Sequence, residues 1–222
     1  FIWGQATIFS GLMAYHELSG DPRALEAAGK LADWYQSYLK NQDLAAANYF
    51  LEPKNEFSRN GATVGQLGEG ALEPMLWLYW RTKDPRHLER AKRIAELKRR
   101  YGGVAWMIHG DVADLRPDYE SWHLHANLST VRGFPWLYAA TGDRSYLEDA
   151  VRACDRVYER ATWGIGCVLE QIPWLRDPDP HDETCQTADE LMLSYLLGEF
   201  AGEGRFYDRG ETIYYNAIRY MQ

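Results

Sequence analysis

Four times along the chain an almost wholly apolar run passes through a Gly-Asp-like turn. Beyond the turn, apolar residues recur every three or four positions among charged ones. The stretches are "HELSGDPRALEAAGKLADW" (16–34), "YWRTKDPRHLERAKRIAEL" (79–97), "YAATGDRSYLEDAVRACDR" (138–156) and, more faintly, "GEFAGEGRFYDRGETIYYN" (198–216). Gly20, Lys83, Gly142 and Gly202 stand at the turns, followed by Asp21, Asp84, Asp143 and Glu203, and the steps between these acids are 63, 59 and 60 residues. Four residues after the acid comes Leu25, Leu88, Leu147 or Tyr207, and seven after it Ala28, Ala91, Ala150 or Gly210. These positions share one helical face. Gly at such a turn supplies a left-handed C-cap, the acid caps the next helix, and Pro22 and Pro85 fit its first position. Each unit therefore reads as an αα-hairpin. Its first helix is apolar or small, as in "ATIFSGLMAY", "GALEPMLWLYW" and "LSTVRGFPWLY", and its second is amphipathic, as in "HLERAKRIAELKRR". The assembly this pattern predicts is all-α, an (α/α) toroid of buried inner helices wrapped by outer ones. No stretch shows sustained strand alternation.

Between the hairpins the pattern predicts long connections at about 41–64, 101–122 and 161–182. All three lead into the N-termini of inner helices, so they share one mouth of the ring, where backbone donors and polar side chains concentrate. Connections of that length are usually functional or disordered. Four hairpins make an arc, so residues 1–222 read as one (α/α)-barrel domain belonging to a larger ring. The chain opens inside a helical pattern and stops at "YYNAIRYMQ" in mid-helix, and both ends read as cut.

A formal charge of −8 argues against nucleic acid or an anionic membrane as partner. No apolar run approaches the roughly 18 residues of a membrane span. The first residues carry no basic segment and no small-residue cleavage site, so no signal peptide is expected and a cytoplasmic location is favoured. Cys154, Cys167 and Cys185 are odd in number and follow no zinc-finger spacing, which argues against a disulfide framework. Nine Trp and fifteen Tyr fill cores, but they also suit a groove that stacks on ring-shaped ligands.

Candidate chemistry collects at the mouth. In "YESWHLHANLSTVRG" (119–133), His123 and His125 open an inner helix just after Trp122. Residues two apart do not share a helix face, so a common metal requires the helix to start after His123. Either one His caps or packs while the other is exposed, or the pair meets sugar hydroxyls or a carboxylate. Arg132, two turns further into this apolar helix, needs a carboxylate partner. In "TWGIGCVLEQIPW" the Gly164–Gly166 pair allows close approach to a ligand. Glu170 follows in an apolar setting that would raise its pKa, as a general acid for glycosidic cleavage requires; the plainer alternative is an exposed loop carboxylate. "HDETC" (181–185) comes next, with Asp182 or Thr184 as candidate cap of the last inner helix. Glu183 and Cys185 flank Thr184, and a helix start favours a thiolate. Carboxylate plus thiolate suits zinc, although two ligands make only half a site. Glu69, before the second inner helix, is a further pocket candidate, with capping as its plainer role.

The repeats, "HLHANLSTVRG", the Gly-loop-Glu segment and "DETCQTADEL...YDRGETIYYNAI", in this order, resemble the catalytic domain of the β-L-arabinofuranosidase family, glycoside hydrolase family 127. The similarity covers nearly the whole chain as the middle of a larger (α/α)6 barrel. It implies a glycoside hydrolase acting on L-arabinofuranosides or related sugars of glycans. It further implies Glu170 as general acid/base, Glu183 and Cys185 as zinc ligands, and His125 or His123 as a contact to the sugar. In the family two adjacent Cys complete the zinc site, and one of them is the nucleophile. This chain contains no Cys-Cys pair, so either it is part of a longer enzyme that carries the pair or it does not complete the thiolate–zinc site. Two other readings stay open: an (α/α)-barrel sugar epimerase or unsaturated-uronide hydrolase working without zinc, and a non-catalytic carbohydrate-binding helical domain.

Overall fold

The turn chemistry sets the architecture. In the computed structural model, which describes residues 2–51, 70–100, 102–110, 123–170 and 182–221, each predicted turn joins two helices. Gly20, Gly142 and Gly202 take φ of 69°, 74° and 71°, and Lys83 takes 57° in the same left-handed conformation. The side chains of Asp21, Asp84 and Asp143 then accept from the backbone N–H of Arg23 (2.9 Å), Arg86 (2.9 Å) and Ser145 (3.0 Å). Glu203 makes no such cap; its longer side chain pairs with Arg205 instead.

The helices are α1 (Ile2–Ser19), α2 (Pro22–Leu51), α3 (Leu72–Thr82), α4 (Pro85–Arg100), α5 (Gly102–His109), α6 (Leu124–Val131), α7 (Gly133–Thr141), α8 (Arg144–Ala161), α9 (Thr184–Ala201) and α10 (Gly204–Asn216). One 3-10 turn, Ile218–Tyr220, follows, so the last helix ends before the chain does. The hairpins pair α1 with α2, α3 with α4, α7 with α8 and α9 with α10. Along the inner layer α1 packs on α3, α3 on α7, and α6 on α9. Phe9, Met13, Leu72, Met75, Leu128, Phe134, Leu193 and Leu197 knit these helices into one buried core. The arrangement is the expected all-α toroid arc, and no strand forms among the described residues.

Three local expectations change. First, α2 continues to Leu51, into what the pattern reads as the first connection. Second, the connection at 101–122 contains α5, whose Val104, Ala105, Trp106, Met107 and Ile108 are all buried between α4 and α8. A helix buried all round has no amphipathic period to betray it. Third, the third inner helix is interrupted at Arg132 and resumes as α7. Pro135 has no N–H for the carbonyl of Val131 and its ring crowds that carbonyl, which breaks the ladder there. Gly133 beside the break lies flat on α3, where a Cβ would stand 2.4 Å from Leu72 Cγ.

A belt of ion pairs crosses the inner layer. Glu17 of α1 pairs with Arg81 of α3 and accepts from Trp77 Nε1 at 3.1 Å. Arg132 reaches Glu73 of α3 and Asp189 of α9, each at 2.7 Å. These are the carboxylates its burial demands. No described helix is long and apolar enough to cross a membrane.

Candidate active site and metal cluster

The site forms where the N-termini of α6 and α9 meet the Gly-containing loop. α6 begins at Leu124, which leaves His123 as its extended N-cap (φ −61°, ψ 113°) and frees its ring from the helix surface. His123 Nε2 lies 3.4 Å from Glu183 Oε2 and 4.0 Å from Glu170 Oε1. Cys185 Sγ lies 3.2 Å from the same Glu183 oxygen. One nitrogen, one oxygen and one sulfur, from His123, Glu183 and Cys185, thus lie within 4.8 Å of one another. Tetrahedral ligands at bond lengths of about 2.0–2.3 Å stand about 3.3–3.8 Å apart, so these donors are close to the spacing a zinc ion needs. Hard and soft donors combined on this scale suit zinc better than magnesium or calcium.

His125, two residues on, turns elsewhere. Its Nδ1 pairs with Asp189 Oδ2, while its ring meets that of His123 edge-on with centroids 5.9 Å apart. An ionised Asp189 only accepts, so Nδ1 carries the proton. Asp189 in turn bonds Arg132, and Arg132 bonds Glu73, so His125 sits on a buried relay anchored in three inner helices. Burial raises the Glu73 carboxyl, with Arg132 pulling the other way.

The loop residues are held closely. Thr162 bridges Val168 and Leu169 bridges Asp182, which brings Glu170 to the mouth with its side chain one-fifth exposed. Val168 and Leu169 are buried, while Trp163 and Ile165 at the loop tip are exposed. Gly166 takes φ 97° against the Ile213 backbone, where a Cβ would stand 2.9 Å away, so Gly166 serves packing on α10, while a Cβ at Gly164 would meet nothing within 4 Å.

Two expectations about "HDETC" are corrected. Neither Asp182 nor Thr184 caps α9: Glu183 is the N-cap residue and makes no side-chain cap bond. Nor is a thiolate favoured at Cys185. Burial first, then the hydrogen bond and charge of Glu183, push the thiol up to about 12, outweighing the helix start. Cys167 is likewise pushed up to about 11, by burial and Asp182, as suits a packed residue.

The structure therefore brings Glu170, His123, Glu183 and Cys185 together and sets His125 beside them. Trp122 and Glu69 lie outside the described residues. Asp189 escaped the sequence reading, although it lies four residues after Cys185 on one face of α9, a spacing that could have flagged it.

Comparisons with known proteins bear on the family and the fold. The family model for the β-L-arabinofuranosidase GH127 catalytic domain matches residues 2–219. No curated protein matches the chain. The Lin0763 protein of Listeria innocua superposes with a TM-score of 0.71 at 18% identity, covering 100% of this chain and 59% of its own. An inactive variant of an α-1,6-mannanase from Salegentibacter sp., in complex with α-1,6-mannotriose, gives 0.66 at 17% identity, covering 96% of this chain and 59% of its own. A GH127 β-L-arabinofuranosidase from Geobacillus stearothermophilus T6 gives 0.63 at 17% identity, covering 98% of this chain and 36% of its own. The chain thus spans three-fifths or less of each of these structures.

Proposed function

This chain belongs to the β-L-arabinofuranosidase family defined by the GH127 catalytic domain, and from that premise we propose that the protein carrying it hydrolyses L-arabinofuranosides or related sugars of glycans. The observation that supports this most is the grouping of Glu170, His123, Glu183 and Cys185 at one mouth of the helical ring. Glu170 acts as the general acid/base. It protonates the glycosidic oxygen as the bond to the sugar breaks, and later takes a proton from the water that releases the sugar. The buried Val168 and Leu169 beside it limit water around that proton transfer. His125, its tautomer fixed by Asp189, offers its ring edge to sugar hydroxyls, with Trp122 and Glu69 as further contacts to the sugar.

Glu183, Cys185 and His123 are the residues of this chain that would hold zinc. Zinc bound there would supply a charge that keeps coordinating thiols deprotonated and nucleophilic at neutral pH. By the family resemblance the remaining thiolates come from a Cys pair outside residues 1–222.

The His125–Asp189 pair also favours a second reading, a metal-free sugar epimerase or unsaturated-uronide hydrolase built on His and carboxylate chemistry. Stoichiometric zinc in the full-length protein would dismiss it.

The test is Glu170→Gln in the full-length protein, assayed on a β-L-arabinofuranoside with an alkyl aglycone. The expected loss in kcat is about 10²–10⁴-fold, with the melting temperature nearly unchanged. Undiminished turnover would reject Glu170 as acid/base. A wild-type protein that binds arabinosides without cleaving them would point to a carbohydrate-binding domain.

A further inference from the structure

Gln186 is fully buried in the first turn of α9, next to the proposed ligands yet not one of them. The orientation of its amide follows from its surroundings. With Oε1 turned toward the loop, that one oxygen accepts from the backbone N–H of Glu183 at 3.0 Å and of Glu170 at 3.1 Å. The other amide position then lies against Cys185 Sγ, 2.9 Å away. A carbonyl oxygen has two lone pairs, so both N–H groups are satisfied by a single side chain.

The Glu170 backbone is gripped from its other side as well. Its carbonyl accepts from the N–H of Leu124, the first residue of α6, at 2.8 Å. Just before it, Leu169 N–H donates to Ala161 O at 2.8 Å and Val168 N–H to Thr187 Oγ1 at 3.0 Å. Of these contacts, only the Gln186 amide touches the backbone of both carboxylate residues at once.

We propose that Gln186 is the positioning residue that fixes Glu170 and Glu183 in register across the mouth. It locks the loop carrying the acid/base to the helix carrying the metal ligands. This deepens the functional reading above and rests on Glu170 being the acid/base. The side-chain type follows from the geometry. Asn is one methylene short of the loop. Glu keeps the acceptor, but buries a charge near Glu170, Glu183 and Asp189 and loses the amide N–H beside the sulfur. Met has the right length and no acceptor for two buried N–H groups.

Two measurements on the full-length protein test this. The first needs no activity: amide hydrogen exchange in the unmutated protein. The N–H groups of Glu170 and Glu183 are both expected to be protected, and both to lose protection in Gln186→Met while the helix amides of α3 and α4 keep theirs. Fast exchange of either N–H in the unmutated protein would overturn the proposal, and this decides the matter even where Gln186→Met does not fold.

The second compares Gln186→Met with wild type on arabinofuranosides of graded leaving-group acidity. A displaced general acid is expected to cost about 10²-fold in kcat on an alkyl leaving group, little on a dinitrophenyl one that needs no proton, and little in KM. An equal loss across the series would mean that Gln186 merely supports the fold. If Glu170→Gln retains turnover, the acid/base assignment falls on its own, while the exchange experiment still decides the register.

Discussion

Glu190 shows what single residues carry outside the site. It is fully buried on α9, accepts from Cys154 Sγ at 3.4 Å through one oxygen, and has no hydrogen-bond partner on the other among the described residues. Burial pushes its carboxyl up to about 7, although Arg209, which also reaches Cys154 Sγ at 3.1 Å and Asp155, pulls it down. The folded value thus lies above the unfolded one, so the protonated form stabilises the fold. That contribution is complete below the unfolded pKa near 4.5 and is lost as pH rises through about 7. Thermal melts of the wild type are expected to fall between pH 5 and 8, by an amount on the order of 3 kcal/mol in stability. Glu190→Gln should flatten that part of the profile. A profile unchanged by the substitution would show that Glu190 titrates normally.

Between elements, the inner helices touch through glycine, and magnitudes decide the outcome. Gly133→Ala would gain about 1 kcal/mol of helix propensity. The new Cβ, however, meets Leu72 Cγ at 2.4 Å, Cδ2 at 2.7 Å and Cβ at 2.9 Å, at the root of that side chain and not its mobile end. Overpacking costs about 1–3 kcal/mol, so destabilisation should win. Gly29 on α2 has nothing within 4 Å of an added Cβ, and Gly29→Ala should instead raise the melting temperature. Calorimetry of the two variants should give shifts of opposite sign; a stabilised Gly133→Ala would mean that α3 and α7 part easily. This scale was also the most legible in the sequence. Asp21, Asp84 and Asp143 cap as their positions require, because capping is local chemistry. The α5 helix was not legible, because neighbours that are distant in the chain bury it all round, whereas the break before Gly133 follows from the nearby Pro135.

For the whole molecule, the ring brings together what the chain keeps apart. His123 and Glu183 are 60 residues apart in sequence and 3.4 Å apart in space. The resemblance placed Glu183 and Cys185 at a metal. No spacing rule adds His123, whose place beside them depends on α6 starting one residue later and on the packing of α6 against α9. An ion held by these three side chains would join the starts of two neighbouring inner helices, so it should be felt as stability as well as chemistry. A ligand at a hundred times its Kd stabilises by about 2.7 kcal/mol, which for a domain of about 150–250 residues is about 5–10 °C in Tm. Chelator treatment of the full-length protein should lower Tm by that order, and stoichiometric zinc should restore it. Cys185→Ser and Glu183→Gln should abolish the response. His123→Ala is the discriminating variant: competition with a chromogenic chelator should show zinc affinity reduced roughly tenfold or more. Unchanged affinity would return His123 to the sugar and leave the metal to Glu183, Cys185 and ligands from elsewhere in the protein.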